Sequence, residues 1–219
     1  MVRLYPIDIA RMGWADVADG GSVREKVLAL DPETGSVTRL LRIEAGGTLP
    51  GGKLDRWEET FVLEGSYSQG VDQFAEGSFT CQPPDTDVEP RASSGGCTLI
   101  QMRDLDGALD KDAVRLSRDQ VEAMPWLPTA AGITGHGEKI LTQGPSGSLT
   151  RLLLFDPGAD TTIPDDHDHN EEVLILKGGC KNGEEFHPAG TYTFNPPHTV
   201  HGPFLVDEPL MCFEVKNIP

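Results

Sequence analysis

Five of the chain's six histidines fall between positions 167 and 201, and this crowding is its first feature with chemical content. The dense part reads Asp165-Asp166-His167-Asp168-His169-Asn170-Glu171-Glu172 and leads straight into the apolar run Val173-Leu174-Ile175-Leu176. A second cluster, Asn195-Pro196-Pro197-His198-Thr199-Val200-His201-Gly202-Pro203, follows after a short interval. Imidazole and carboxylate suit zinc, iron, manganese or nickel. Two histidines one residue apart project to the same side of an extended segment. A carboxylate at the entrance of the next strand and a histidine from a neighbouring strand would close the set and leave positions for water or substrate. The expected ligands of one divalent ion are therefore His167, His169, Glu171 and His201. Glu172 would face away from Glu171 on a regular strand. The remaining histidines carry less: His198 reads as a solvated turn residue, His187 before Pro188 as an exposed hairpin residue, and His136 between two glycines has no ligand-like company.

Short β-strands must position these groups. Thr38 to Ile43 and Leu149 to Phe155 are short apolar runs, and residues 60–63 and 173–176 are apolar on both faces, as strands covered on both sides are. Residues 77–80 and 190–194 alternate small or polar with aromatic side chains. With 25 glycines and 17 prolines punctuating the chain, many short strands are favoured over long helices. A jelly-roll barrel fits this pattern.

The pattern occurs twice. Gly35-Ser36-Val37-Thr38-Arg39-Leu40-Leu41 returns 112 residues on as Gly147-Ser148-Leu149-Thr150-Arg151-Leu152-Leu153. Glu58-Glu59, Gly65, Gly77 and Pro83-Pro84 return 113 residues on as Glu171-Glu172, Gly178, Gly190 and Pro196-Pro197. A repeat held over so many matches implies an internal duplication. The expected fold class is all-β: two tandem barrels at 1–104 and 129–219. The linker 105–128 holds a short helix from about 118 to 124, started by a Ser117…Gln120 capping box. The first half lacks the ligand set. It has Gly52 and Leu54 opposite Asp165 and His167, and Val88 opposite His201, and it keeps only Glu58. That barrel reads as structural, with Arg39 or Arg56 pairing Glu58; a metal-free pocket is its alternative role.

Composition narrows the partners. A formal net charge of −17 repels phosphate backbones and anionic lipid, so neither nucleic acid nor a membrane is expected. There is no secretory-type N-terminal segment and no apolar stretch of membrane-spanning length, so a cytoplasmic location is expected. The four cysteines show no Cys-x-x-Cys spacing and read as buried, reduced thiols. The strands' second apolar face leaves room for a homodimer.

The order His-x-His, Glu, six residues, Gly, then Gly, Pro-Pro, His resembles the two motifs of the cupin superfamily. Trp57-Glu58-Glu59-Thr60-Phe61-Val62-Leu63-Glu64-Gly65 and Ser94-Gly95-Gly96-Cys97-Thr98-Leu99-Ile100 are similar to its ChrR-like branch. The resemblance spans nearly the whole chain, once per half. It implies a double-stranded β-helix barrel holding its metal by three histidines, with or without a glutamate. One departure leaves two registers open. The family usually has three or four residues between the second histidine and the glutamate, whereas only Asn170 separates His169 from Glu171. Either the loop is shortened, or Asp165 and His167 form the pair and His169 is left over. The ungapped repeat favours the second register, and ligand chemistry favours the first.

Three functions compete, the first two implied by that resemblance and the third by the lost ligand set of the first half. One is a dioxygenase, iron first among candidate metals, acting on a small diketone or hydroxyketone with Glu171 as ligand or hydrogen-bonding group. Another is a standalone zinc-binding sensor; a complete anti-sigma factor is not expected, since barrel sequence starts near residue 1. The third is a binding module with a vestigial site.

Overall fold

The computed structural model describes residues 6–17, 22–104, 111–129, 134–159, 161 and 167–217. Its strands are antiparallel throughout. The α-helix among the described residues is Arg118–Ala123. Ser117 and Gln120 start it reciprocally: Ser117 N donates to Gln120 Oε1 at 2.8 Å, and Gln120 N donates to Ser117 Oγ at 3.4 Å.

The chain forms two compact units, Met12–Gly107 with Asp112–Ala123, and Arg3–Arg11 and Ala108–Lys111 with Met124–Pro219. The principal strands of the first are β1 (Val23–Leu30), β2 (Val37–Ile43), β3 (Trp57–Gln69), β4 (Phe79–Gln82) and β5 (Cys97–Asp104). They lie in the order β4-β3-β5-β2-β1. The second has β6 (His136–Gln143), β7 (Leu149–Phe155), β8 (Asn170–Lys177), β9 (Thr191–Asn195) and β10 (Leu210–Asn217), in the matching order β9-β8-β10-β7-β6. This is the jelly-roll arrangement, present once per repeat.

The duplication extends to individual contacts. Arg39 Nη1 donates to Glu25 Oε2 at 2.7 Å, and Arg151 Nη1 to Glu138 Oε2 at 2.5 Å. Lys26 lies 4.7 Å from the Trp14 ring, and Lys139 lies 4.8 Å from Trp126. The pairing of β1 with β2 shifts register between Val27 and Ala29, and that of β6 with β7 shifts between Ile140 and Thr142, the same place in the repeat.

Ile7–Asp8 pairs with Tyr192 and Thr191 of the second unit. Val114–Leu116 pairs with β4 of the first. By position in the chain these pieces fall in the first barrel and in the linker. Pairings only two or three residues long leave no periodic signal for sequence to show.

Burial explains why the long strands read apolar on both faces. Thr60, Phe61 and Val62 are buried in succession, as are Ile175 and Leu174. Facing inward, Val23, Leu41, Ile43, Val62 and Leu99 form one core, and Leu153, Ile175, Cys180, Leu210 and Cys212 the other. All four cysteines are buried and free of disulfides. No helix among the described residues is long and apolar enough to cross a membrane.

Gly65 and Gly178 end the buried parts of β3 and β8 with φ of 74° and 72°. A Cβ on Gly65 would collide with the Gly96 carbonyl, and one on Gly178 with the Pro209 carbonyl. The strain and the backbone collision add, so Gly178→Ala is expected to cost about 2–4 kcal/mol, read from chemical denaturation.

Candidate metal centre

Glu171 is the second residue of β8 and pairs with Asn195 on β9 and Lys216 on β10, so it faces the interior of the second unit. Its Oε2 accepts from Asn195 Nδ2 at 3.0 Å and lies 3.0 Å from His201 Nε2 and 3.6 Å from His167 Nε2. The ligand atoms of His167, His169 and Glu171 all lie within 4.8 Å of one another. His167 stacks on His169 with ring centroids 4.3 Å apart and meets His201 edge-on at 5.1 Å. The four residues expected as ligands thus converge.

The backbone around them fixes the rings. His167 Nδ1 donates to the His169 carbonyl at 2.8 Å, and His201 Nδ1 to the Thr199 carbonyl at 2.9 Å. His169 Nδ1 faces Asp168 Oδ1 at 3.5 Å. A carbonyl only accepts, so Nδ1 carries a proton in the first two rings, and Nε2 is the atom each turns toward Glu171. The Pro-Pro turn secures the loop: His198, at φ 59°, donates its N–H to the His167 carbonyl at 2.7 Å. The same bond exists in the first unit, from Asp85 (φ 66°) to Leu54 at 2.8 Å.

That pair of bonds bears on the two open registers. The repeat runs ungapped through the loop, with His167 opposite Leu54, and His169 nevertheless joins the cluster because its ring folds onto His167. Asp165 lies outside the described residues.

Among the described residues the buried Nε2 atoms of His167 and His169 have no hydrogen-bond partner. Leaving such atoms unsatisfied costs about 1–3 kcal/mol each, and a bound ion would remove that cost. Imidazole nitrogens beside an ionised carboxylate fit a divalent transition metal. Burial pushes the Glu171 carboxyl up, but the His167 and His201 imidazoles beside it outweigh burial and hold the group well below the usual carboxylate range. The same contact with Glu171 raises His167 against the effect of burial, and burial lowers His169.

Several partners were not foreseen. Asn195 and Lys216 flank Glu171, and Lys216 Nζ lies 3.8 Å from Glu171 Oε1 and 3.6 Å from Glu214 Oε1. Glu214 is held by Arg151 at 2.7 Å. His136, expected to have no ligand-like company, stacks on Phe155 at 4.0 Å, and burial, reinforced by Arg151 and Lys216, lowers it to about 4. His187 is buried rather than exposed. Strand alternation could have flagged Lys216 and Glu214 as sharing a face, but not which face.

In the first unit Glu58 occupies the place of Glu171. Its partner is neither Arg39 nor Arg56. Arg39 binds Glu25 and Gln101, and Arg56 binds the Gly35 carbonyl. Arg91 Nη2 reaches Glu58 Oε1 at 2.5 Å, with both residues buried, and Arg103 Nε lies 3.5 Å from Glu58 Oε2. A guanidinium from the short strand Arg91–Ser93 thus neutralises the carboxylate.

The model of the ChrR cupin-like domain matches residues 4–104 and again 117–219. A protein of Nostoc punctiforme named a "putative dioxygenase" superposes with a TM-score of 0.83 at 16% identity, covering 97% of this chain and 82% of that one. A cupin 2 conserved barrel domain protein from Leptotrichia buccalis gives 0.69 at 13% identity, with 100% and 98% covered. An oxalate decarboxylase variant from Bacillus subtilis gives 0.66 at 12% identity, with 99% and 78% covered. At these identities the likeness is one of fold. No curated protein sequence matches the chain. The family model covers both halves in the order the duplication requires, and the chain belongs to the ChrR cupin-like domain family.

Proposed function

We propose that the second unit is a metal-dependent dioxygenase site, with iron as its ion, acting on a small diketone or hydroxyketone. The observation that carries this reading is the convergence of His167, His169 and His201 on Glu171, with two buried Nε2 atoms that make no hydrogen bond among the described residues. An iron ion held there would supply Lewis acidity and electron exchange with O₂. The chain's own residues do the rest. The carbonyls of His169 and Thr199 orient two of the rings, and Asn195 Nδ2 donates to Glu171 Oε2 and fixes the carboxylate plane. Kept ionised, Glu171 can hold a proton released by an enolising ketone. The apolar inner wall, Val173, Ile175, Phe204 and Val206, excludes water from the reacting atoms. The name of the Nostoc protein points the same way.

The test starts with protein purified without chelator. Iron or manganese at about one ion per chain is expected. Iron-loaded protein is then expected to consume oxygen with some member of a panel of β-diketones and aromatic hydroxyketones. Absence of uptake across the panel removes the dioxygenase reading. Stoichiometric zinc with no open position would favour a sensor, and no metal at all would favour a binding module.

A further inference from the structure

Position 216 carries a cation that the protein leaves available. Lys216 Nζ stands between Glu171 and Glu214, at 3.8 and 3.6 Å, outside hydrogen-bond range of both. Glu214 already takes hydrogen bonds from Arg151, and Glu171 from Asn195. Among the described residues the ammonium makes no hydrogen bond, and its side chain is 19% exposed. Two ion pairs therefore aim the amine without using its three N–H donors.

The repeat shows what a committed cation looks like at this position. Its counterpart, Arg103, donates from Nη2 to Asp55 Oδ1 at 2.6 Å. The counterpart of Asp55 in the second unit is Asp168, and Asp168 turns to His169 Nδ1 instead, at 3.5 Å. The duplicated acid has moved from capping the cation to orienting a histidine. This leaves Lys216 open beside the carboxylate.

We propose that Lys216 is a specificity-determining residue, and that the ligand taken at the metal position is an oxygen chelate bearing negative charge. An enolate or a 2-oxo- or 2-hydroxycarboxylate has this chemistry. Its anionic oxygen receives the Lys216 ammonium while its chelating oxygens face the ion. The inference rests on the metal reading above and adds the charge of the substrate to it.

The test uses the full chain loaded with Co²⁺ and follows visible absorption. Tropolonate, a monoanionic bidentate oxygen ligand, is the probe, and imidazole is the neutral comparison. Lys216→Met is expected to weaken tropolonate binding by about 10- to 100-fold, as loss of one charge-assisted hydrogen bond does, while Lys216→Arg largely preserves it. Cobalt content and imidazole affinity are expected to stay within about twofold of the parent, since neither draws on the ammonium. Equal tropolonate affinity in parent and Lys216→Met overturns the proposal and leaves the metal reading intact. Loss of cobalt from Lys216→Met also overturns it, by making Lys216 part of the site's construction. Failure of the parent to take up cobalt would remove both readings together.

Discussion

His167→Ala is expected to weaken metal binding by more than about 100-fold, so that the variant purifies essentially metal-free while the parent retains its ion. His167 is the residue the cluster shares: it stacks on His169 at 4.3 Å, meets His201 at 5.1 Å and lies 3.6 Å from Glu171. Its Nδ1 is tied to the His169 carbonyl, so the loop orients its free nitrogen before any ion arrives. Removing the ring deletes one ligand and the packing surface of another. The matching change in the first unit is the control. Leu54 occupies the same place in the repeat and is 7% exposed. Leu54→Ala is expected to cost about 2–4 kcal/mol of stability through a cavity and to leave metal content unchanged. Metal analysis of the two variants beside the parent decides the matter, and full metal content in His167→Ala would refute the site.

The second large effect lies in the first unit. Arg91→Ala is expected to destabilise the protein by about 3–5 kcal/mol, because it strands the Glu58 carboxylate in the interior. Arg91 and Glu58 are 3% and 6% exposed, and their contact is 2.5 Å. Arg103, at 3.5 Å from the other oxygen, is too far to replace it fully. Replacing both partners, as Glu58→Gln with Arg91→Met, is expected to recover most of the loss, since no charge is then left unpaired. Urea denaturation of parent, single and double variants reads both outcomes. An equally unstable double variant would show that the loss comes from packing rather than from the uncompensated charge.

The same position in the repeat thus has two solutions to one electrostatic problem. Glu58 and Glu171 are both buried carboxylates at the entrance of an inner strand. One meets a guanidinium supplied by its own chain. The other meets the imidazoles of His167 and His201, and among the described residues the buried Nε2 atoms of His167 and His169 accept or donate no hydrogen bond, which is the arrangement an ion completes. This contrast could not be read from the first half alone. Position 91 follows Pro90 and belongs to a strand of only three residues, so nothing in its neighbourhood marks Arg91 as an interior residue.

What was legible in the sequence was local or periodic. The duplication, the strands covered on both faces and the Ser117 cap each depend on residues close along the chain. So did the ligand types: His-x-His, Glu171 at a strand entrance and His201 after a Pro-Pro turn are short patterns whose chemistry follows from side-chain identity. Tertiary structure decided the rest. It brought Ile7–Asp8 to the sheet of the second unit, chose Arg91 over Arg39 and Arg56, half-buried His136 against Phe155 and buried His187. It also included His169 although the repeat runs ungapped. Each of these depends on which strand lies beside which, and strand neighbours are set by contacts between residues distant in the chain. Sequence spacing carries no record of that distance; a pairing in space does.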